Sequence, residues 1–149
     1  MSVITGFFAY LAANSSQIFN LLLEHIRLTA IAVGVSILIG VPLGIFICYI
    51  RKASKPILGL ANIIQAVPSM ALLGFAIPLL GIGTLPAVVV VVLYSLLPIV
   101  RNTCLGLDQV PEHLIEAGRG MGMTRTYRLV HVEIPIAAPI IFTGIRIAT

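Results

Sequence analysis

The chain has 149 residues, of which 59% are hydrophobic and only 9% are charged, and its mean hydropathy is +1.12. Soluble domains carry about 25% charged residues, so the composition excludes an ordinary soluble domain and predicts an all-α bundle of membrane-spanning helices surrounded by lipid. Basic loops beside a membrane explain the net charge of +4, which requires no nucleic-acid partner.

Residues 1–24 are expected to form an extracytoplasmic segment at the membrane interface. Four polar residues, Asn14-Ser15-Ser16-Gln17, interrupt its apolar clusters. A cleaved signal peptide is the competing interpretation. It is disfavoured because the segment lacks a basic region before its first apolar residues.

Three spans are predicted next, at about 25–50, 57–80 and 85–106. The stretch 28–50 contains no charged residue, and its helical length of roughly 35 Å exceeds the hydrocarbon thickness of a bilayer. The charge-free stretch 56–100 is too long for one crossing, and Gly81-Ile82-Gly83-Thr84 predicts a turn within it. A buried soluble core is excluded because these helices have no polar outer face.

Some polar and aromatic residues within these spans are candidates for lining a pathway. Gln65, Pro68 and Ser69 combine a helix break with two polar side chains near the middle of a span. Tyr94 is a mid-span aromatic residue of the next span. The alternative, in which Gln65 and Ser69 only form hydrogen bonds across a packed helix interface, stays open.

Residues 107–129 are predicted to form a cytoplasmic loop with a short docking helix. Pro111 suits a first helical turn, and acidic residues near the helix start, Glu116 among them, complement the helix dipole. Small residues would allow close approach of a partner's backbone, and methionines would add an adaptable apolar surface. The residues assigned to this surface are Glu116, Ala117, Gly118, Met121, Gly122, Met123 and, after the loop, Pro135.

The last predicted span, 130–149, is short. Only 12 residues precede Arg146 from Ile134, which corresponds to about 18 Å of helix. We expect the sequence to be a truncated piece of a longer protein that lacks its last spans. The alternative is a final helix buried among partners around a wet cavity.

The basic residues predict the orientation of the chain. One cluster, Arg51, Lys52 and Lys55, follows the first span, and a second, which includes Arg119, Arg125 and Arg128, follows the third. The positive-inside rule places both clusters in the cytoplasm. The amino terminus is therefore expected outside.

The spacing within the loop resembles the coupling loop of ABC importer permeases. Glu116-Ala117-Gly118, three residues, Gly122, nine residues and Val132-Glu133-Ile134-Pro135 match the usual Glu-Ala-Ala, Gly and Ile-x-Leu-Pro pattern with its spacing intact. The resemblance implies the fold of a type I ABC importer permease. It also implies that the loop docks into a groove of a separate ATPase subunit.

Other kinds of chemistry find little support in the sequence. The five acidic residues fall at predicted span ends or in loops, so no proton relay is evident. The 149 residues contain no phosphate-binding, metalloprotease or serine-hydrolase motif. We therefore predict no enzymatic activity, cofactor or metal site. His113 is interpreted as an exposed polar residue of a solvated helix face, in preference to a metal ligand. Cys48 and Cys104 are interpreted as apolar packing residues.

The resemblance narrows to bacterial osmoprotectant permeases for glycine betaine, carnitine and choline, and is carried by Glu24–Thr29, Val41–Gly44, Gln65–Ser69, Tyr94–Thr103 and Glu116–Met123. It implies a multi-pass protein of the bacterial inner membrane, a second identical or related permease chain, ATPase subunits and an extracytoplasmic solute-binding protein. The alternatives are a permease for another solute, such as methionine or a sulfonate, and a non-transporting membrane scaffold.

Overall fold

The computed structural model describes residues 3–149, apart from the side chain of Thr5. Its elements are α-helices and one π-helical turn, so the predicted all-α fold is confirmed. In chain order they are α1 (Val3–Ala13), α2 (Ser15–Tyr49), α3 (Arg51–Ala66), α4 (Ser69–Leu80), α5 (Thr84–Asp108), α6 (Glu112–Gly120), α7 (Arg125–Arg128), the π-helical turn (Leu129–Glu133) and α8 (Ile134–Ala148).

Three helical stretches are long and apolar enough to cross a membrane: Ser15–Tyr49, Thr84–Asp108 and Arg125–Ala148. The first begins ten residues before the predicted span at 25–50, since α2 continues without a break through the segment predicted to be interfacial. At 35 residues, α2 is about 52 Å long and exceeds the hydrocarbon thickness. The helix is therefore longer than one crossing requires, and its charged residues, Glu24 and Arg27, lie in its amino-terminal half.

Helices α2 and α5 lie parallel along a seam of small residues. Ser36 Oγ lies 3.5 Å from the Val92 carbonyl oxygen, and further along the seam Gly40 faces Ile99 and Gly44 faces Thr103. A Cβ atom on Gly44 would lie 2.5 Å from the Thr103 Cβ, so only glycine permits this approach. Helix α8 packs on another side of α5 in the opposite direction, and its Gly144 lies against Asn102.

The predicted span 57–80 is not one straight helix. Helices α3 and α4 meet at an angle of 97° around Val67 and Pro68. Proline disfavours the helical conformation for the residue before it, and Val67 is extended with ψ 130°. The break lies level with Tyr94, near the middle of α5, because Gln65 Nε2 donates a hydrogen bond of 2.9 Å to the Tyr94 carbonyl oxygen.

Because α2 and α5 are parallel, the connection between them, α3 and α4, must run the length of the bundle. Helix α2 ends beside the carboxyl end of α5, where Arg51 and Asp108 form an ion pair of 3.3 Å. Helix α5 begins at the other end, roughly 37 Å away by helical rise. The bent pair α3–α4 therefore returns the chain from one end of the bundle to the other.

Candidate docking loop and groove

The loop between α5 and α8 is anchored to the helical bundle by an apolar cluster. Its buried members are Leu107, Val110, Ala137 and Ile141, and Ile115 of α6 packs against them. Pro111, predicted for the first helical turn, is the residue directly before α6, with an extended ψ of 132°. The cluster and the extended residue together fix the position and direction of α6.

A Schellman motif terminates α6 at Gly122. The Met123 amide donates to the Gly118 carbonyl oxygen and the Gly122 amide to the Arg119 carbonyl oxygen, both at 3.0 Å. This motif requires a left-handed conformation at the residue that donates the inner of the two bonds, and Gly122, which occupies that position, has φ +77°. The motif uses carbonyl groups that would otherwise lack partners at the end of the helix.

Gly118, one of the predicted docking residues, has a close contact within its own chain. It is buried, and a Cβ atom there would lie 3.0 Å from Cδ of Arg128. The small residue thus makes room for an arginine of the same chain. Glu116 and Ala117 are exposed on α6, whereas Pro135 lies outside the loop in the first turn of α8.

The exposed side of the loop contains an apolar concavity of about 390 Å³. Met121, 69% exposed, is the most prominent apolar side chain on its rim. The concavity is lined by Met121, Gly122, Met123, Thr124 and Tyr127. Three of the predicted docking residues, Met121, Gly122 and Met123, therefore share one surface.

A buried ion pair lies behind this surface. Arg128 Nε donates a hydrogen bond of 2.8 Å to Glu133 Oε1, and the two side chains are only 8% and 5% exposed. Residues five apart point in different directions on an α-helix but align on a π-helix, where the hydrogen bonds join residues five apart. The π-helical turn thus brings the two charges together.

The same carboxylate joins the loop to α2. The hydroxyl of Tyr49, the last residue of α2, donates a hydrogen bond to Glu133 Oε2, and the guanidinium of Arg125 lies 4.1 Å from the centre of the Tyr49 ring. We call these four residues, Tyr49, Arg125, Arg128 and Glu133, the loop anchor. The anchor was not predicted from the sequence, in which Arg128 and Glu133 stand out as opposite charges in a largely apolar stretch but not as neighbours.

A groove of about 660 Å³ runs along α5 and contains three of the four predicted pathway residues. Gln65, Ser69 and Tyr94 line it together with Arg101 and Asn102, whereas Pro68 is not part of its lining. The Tyr94 hydroxyl donates a hydrogen bond to the carbonyl oxygen of Val67, which the break leaves without a helical partner. Gln65 therefore bonds across an interface and also borders the groove.

Cys48 and Cys104 do more than fill apolar space. Cys48 packs against the apolar cluster, but its Sγ lies 3.5 Å from Oδ1 of Asp108, and Cys104 Sγ lies 4.0 Å from Oδ2 of the same carboxylate. Cys48 comes from α2 and the other two residues come from α5, and the three meet at the end of the bundle that carries the loop. Among the described residues, His113 is not part of such a cluster.

Comparisons with known proteins agree on one family. The family described as binding-protein-dependent transport system inner membrane component matches residues 36–149. The osmoprotectant import permease protein OsmW of Salmonella typhimurium is 51% identical over 144 residues, which cover 93% of this chain and 67% of that protein.

Two proteins of Bacillus subtilis are similar over the same region. The choline transport system permease protein OpuBB is 44% identical, and the glycine betaine/carnitine/choline transport system permease protein OpuCB is 43% identical. Each match covers 94% of this chain and 64% of the relative. The chain thus spans about two thirds of the length of these relatives.

Proposed function

Since this chain belongs to the family of binding-protein-dependent transport system inner membrane components, we propose that it forms part of the pore of an ATP-driven importer for quaternary ammonium osmoprotectants. In this role the chain is a permease subunit, and a separate ATPase chain hydrolyses ATP. The observation that carries the proposal is the loop anchor. It fixes a loop with the spacing of a coupling motif to the end of a membrane-spanning helix.

The proposed orientation places the loop in the cytoplasm and the amino terminus outside. The ion pair between Arg51 and Asp108 puts the first basic cluster at the same end of the bundle as the loop. Lys52, Lys55, Arg119 and Arg125 therefore gather at one end, which the positive-inside rule assigns to the cytoplasm. The amino end of α2 lies at the opposite end because α2 and α5 are parallel.

The ATPase subunit is proposed to cover the concavity around Met121. An exposed methionine can adapt to a partner's surface, and the exposed ring of Tyr127 adds apolar area beside it. The loop anchor holds this surface rigidly on α2, and the apolar cluster holds it on α5 and α8. A movement of the ATPase would therefore be passed directly to the spanning helices.

The groove along α5 is proposed to be one wall of the translocation pathway, which a second permease chain completes. It lies at the level of the α3–α4 break and offers hydroxyl, amide and aromatic groups in an otherwise apolar region. Tyr94 presents an aromatic ring, and such rings attract quaternary ammonium ions by cation–π interaction. Substrate capture outside the membrane is assigned to a solute-binding protein, in keeping with the description of the family.

The names of the relatives guide the proposed substrates, which are glycine betaine, carnitine and choline. The test uses the full-length permease, its ATPase and its binding protein in proteoliposomes, with radiolabelled osmolytes and radiolabelled methionine. We expect ATP-dependent uptake of at least one osmolyte. Uptake of methionine alone would move the assignment to another solute class, and osmolyte uptake that is independent of ATP would overturn the ABC proposal.

A second experiment tests the docking surface separately from the substrate. Met121→Glu places a charge on the proposed apolar contact, and we expect it to weaken co-purification of the ATPase and to lower coupled uptake. Met121→Leu is the matched control because it keeps an apolar side chain of similar volume. Equal ATPase binding by the two variants would contradict the docking surface and leave the substrate assignment standing.

A further inference from the structure

We propose that Cys48, Cys104 and Asp108 form a binding site for a thiophilic divalent cation such as Zn²⁺, at the end of the bundle that carries the loop. Each residue offers one ligand atom, and the three atoms lie within 4.8 Å of one another. The site is separate from the groove along α5, and it does not depend on which solute is transported. It links α2, which supplies Cys48, to α5, which supplies the other two residues.

The distances between the ligand atoms suit a tetrahedral metal. With Zn–S bonds of about 2.3 Å and Zn–O bonds of about 2.1 Å, a sulfur and an oxygen on one zinc ion are roughly 3.6 Å apart. The carboxylate oxygens of Asp108 lie 3.5 Å from Cys48 Sγ and 4.0 Å from Cys104 Sγ. A cation can therefore be bound after small side-chain rotations, without movement of the helices.

The types of ligand favour a soft cation over magnesium or calcium. Thiolates select zinc, copper(I) and similar metals, whereas magnesium and calcium prefer sites built from oxygen alone. Two thiolates and one carboxylate carry three negative charges, which a divalent cation would largely compensate. Three protein ligands leave the fourth tetrahedral position to water or to another small ligand.

Arg51 is the competitor for this site. Its Nη2 lies 3.3 Å from Oδ1 of Asp108, and its side chain is 83% exposed. An exposed ion pair of this kind contributes little to stability, so the arginine can leave at low cost. A bound cation would replace the positive charge of Arg51 beside Asp108, and removal of Arg51 should make the site stronger.

The experiment uses Co²⁺ as a spectroscopic substitute for Zn²⁺ in the purified transporter, with the cysteines of its other segments and subunits replaced by serine. Thiolate coordination gives a charge-transfer band in the near ultraviolet and visible bands typical of tetrahedral cobalt. We expect both to rise saturably with Co²⁺ and to disappear on addition of Zn²⁺. Cys48→Ser and Cys104→Ser should each reduce the charge-transfer signal and weaken binding by about tenfold or more, and loss of both cysteines should abolish the signal.

Two further variants test the carboxylate and its competitor. Asp108→Asn should weaken Co²⁺ binding, whereas Arg51→Gln should strengthen it. If the Arg51–Asp108 pair had only a structural role, either substitution would loosen the helix ends. The Co²⁺ affinities of the two variants would then change in the same direction. No saturable band in the parent protein, or a band that survives loss of both cysteines, would overturn the proposal.

Discussion

Tyr49 donates a hydrogen bond to Glu133 although 84 positions separate the two residues in the sequence. The bond joins the last residue of α2 to the last residue of the π-helical turn. Glu133 uses its other oxygen for Arg128, whose aliphatic part fills the space beside Gly118. One carboxylate thus connects α2, α7 and, through the arginine, α6.

The buried ion pair gives the first prediction. Glu133→Gln removes the counter-charge of a buried arginine, and loss of one partner of such a pair costs roughly 3–5 kcal/mol. We expect a clearly lower midpoint of thermal unfolding for the detergent-purified protein. Arg51→Gln breaks the exposed Arg51–Asp108 pair and serves as the control, with an expected loss of about 0–1 kcal/mol. Similar midpoints for the two variants would contradict the assigned role of Glu133.

The seam between α2 and α5 gives the second prediction. Gly44→Ala would place a methyl group 2.5 Å from Thr103 Cβ and 2.8 Å from the Val100 carbonyl oxygen. Overpacking of this kind typically costs about 1–3 kcal/mol. Gly34→Ala, in the same helix, has no neighbour within 4 Å and should be neutral or slightly stabilising. The comparison is made by thermal unfolding, and an equal effect of both substitutions would refute the close packing.

The helix break gives the third prediction. Tyr94→Phe removes the donor that pairs with the Val67 carbonyl oxygen, and loss of such a half-buried hydrogen bond costs about 0.5–1.5 kcal/mol. We expect reduced thermal stability and slower uptake in proteoliposomes, since α3 and α4 are less firmly held to α5. Tyr10→Phe, at an exposed tyrosine of α1, should change neither quantity. Wild-type uptake and stability in Tyr94→Phe would show that the bond is dispensable.

The orientation gives the fourth prediction. In a background without cysteine, Asn14→Cys should react with a membrane-impermeant thiol reagent on intact cells. Gly120→Cys, at an open position of the loop, should react only after the inner membrane is permeabilised. The two positions lie at opposite ends of the bundle. Reaction of Gly120→Cys but not of Asn14→Cys on intact cells would reverse the orientation.

The helical stretches and the loop could be predicted from the sequence because a lipid bilayer requires long, apolar, internally hydrogen-bonded segments. A charge-free stretch of sufficient length has few alternatives to a membrane helix, and the loop motif depends only on local spacing. The proline at position 68 likewise indicated an interruption. Its 97° bend could not be predicted, since the direction of α4 depends on contacts with α5, including the bond from Tyr94 to Val67, 27 positions away.

The loop anchor could not be predicted for a different physical reason. Reading a helix with 3.6 residues per turn puts residues 128 and 133 on different faces, so an ion pair between them is not expected. The π-helical turn changes that periodicity locally. The contact between Cys48 and Asp108 could not be predicted either. The two residues are 60 positions apart, and they meet only because α2 and α5 pack in parallel.

The parallel seam has a mechanical consequence. Ile99 and Thr103 lie directly against the backbone of Gly40 and Gly44, so α2 and α5 cannot slide past each other without a steric clash. The two helices must move as one rigid body. The bent pair α3–α4 joins the two ends of that body, so a movement of the pair relative to the body would be absorbed most easily where the chain already leaves helical geometry, at Val67 and Pro68. The same break lies between Gln65 and Ser69, which border the groove, so such a movement would change the shape of the groove while the seam stays intact.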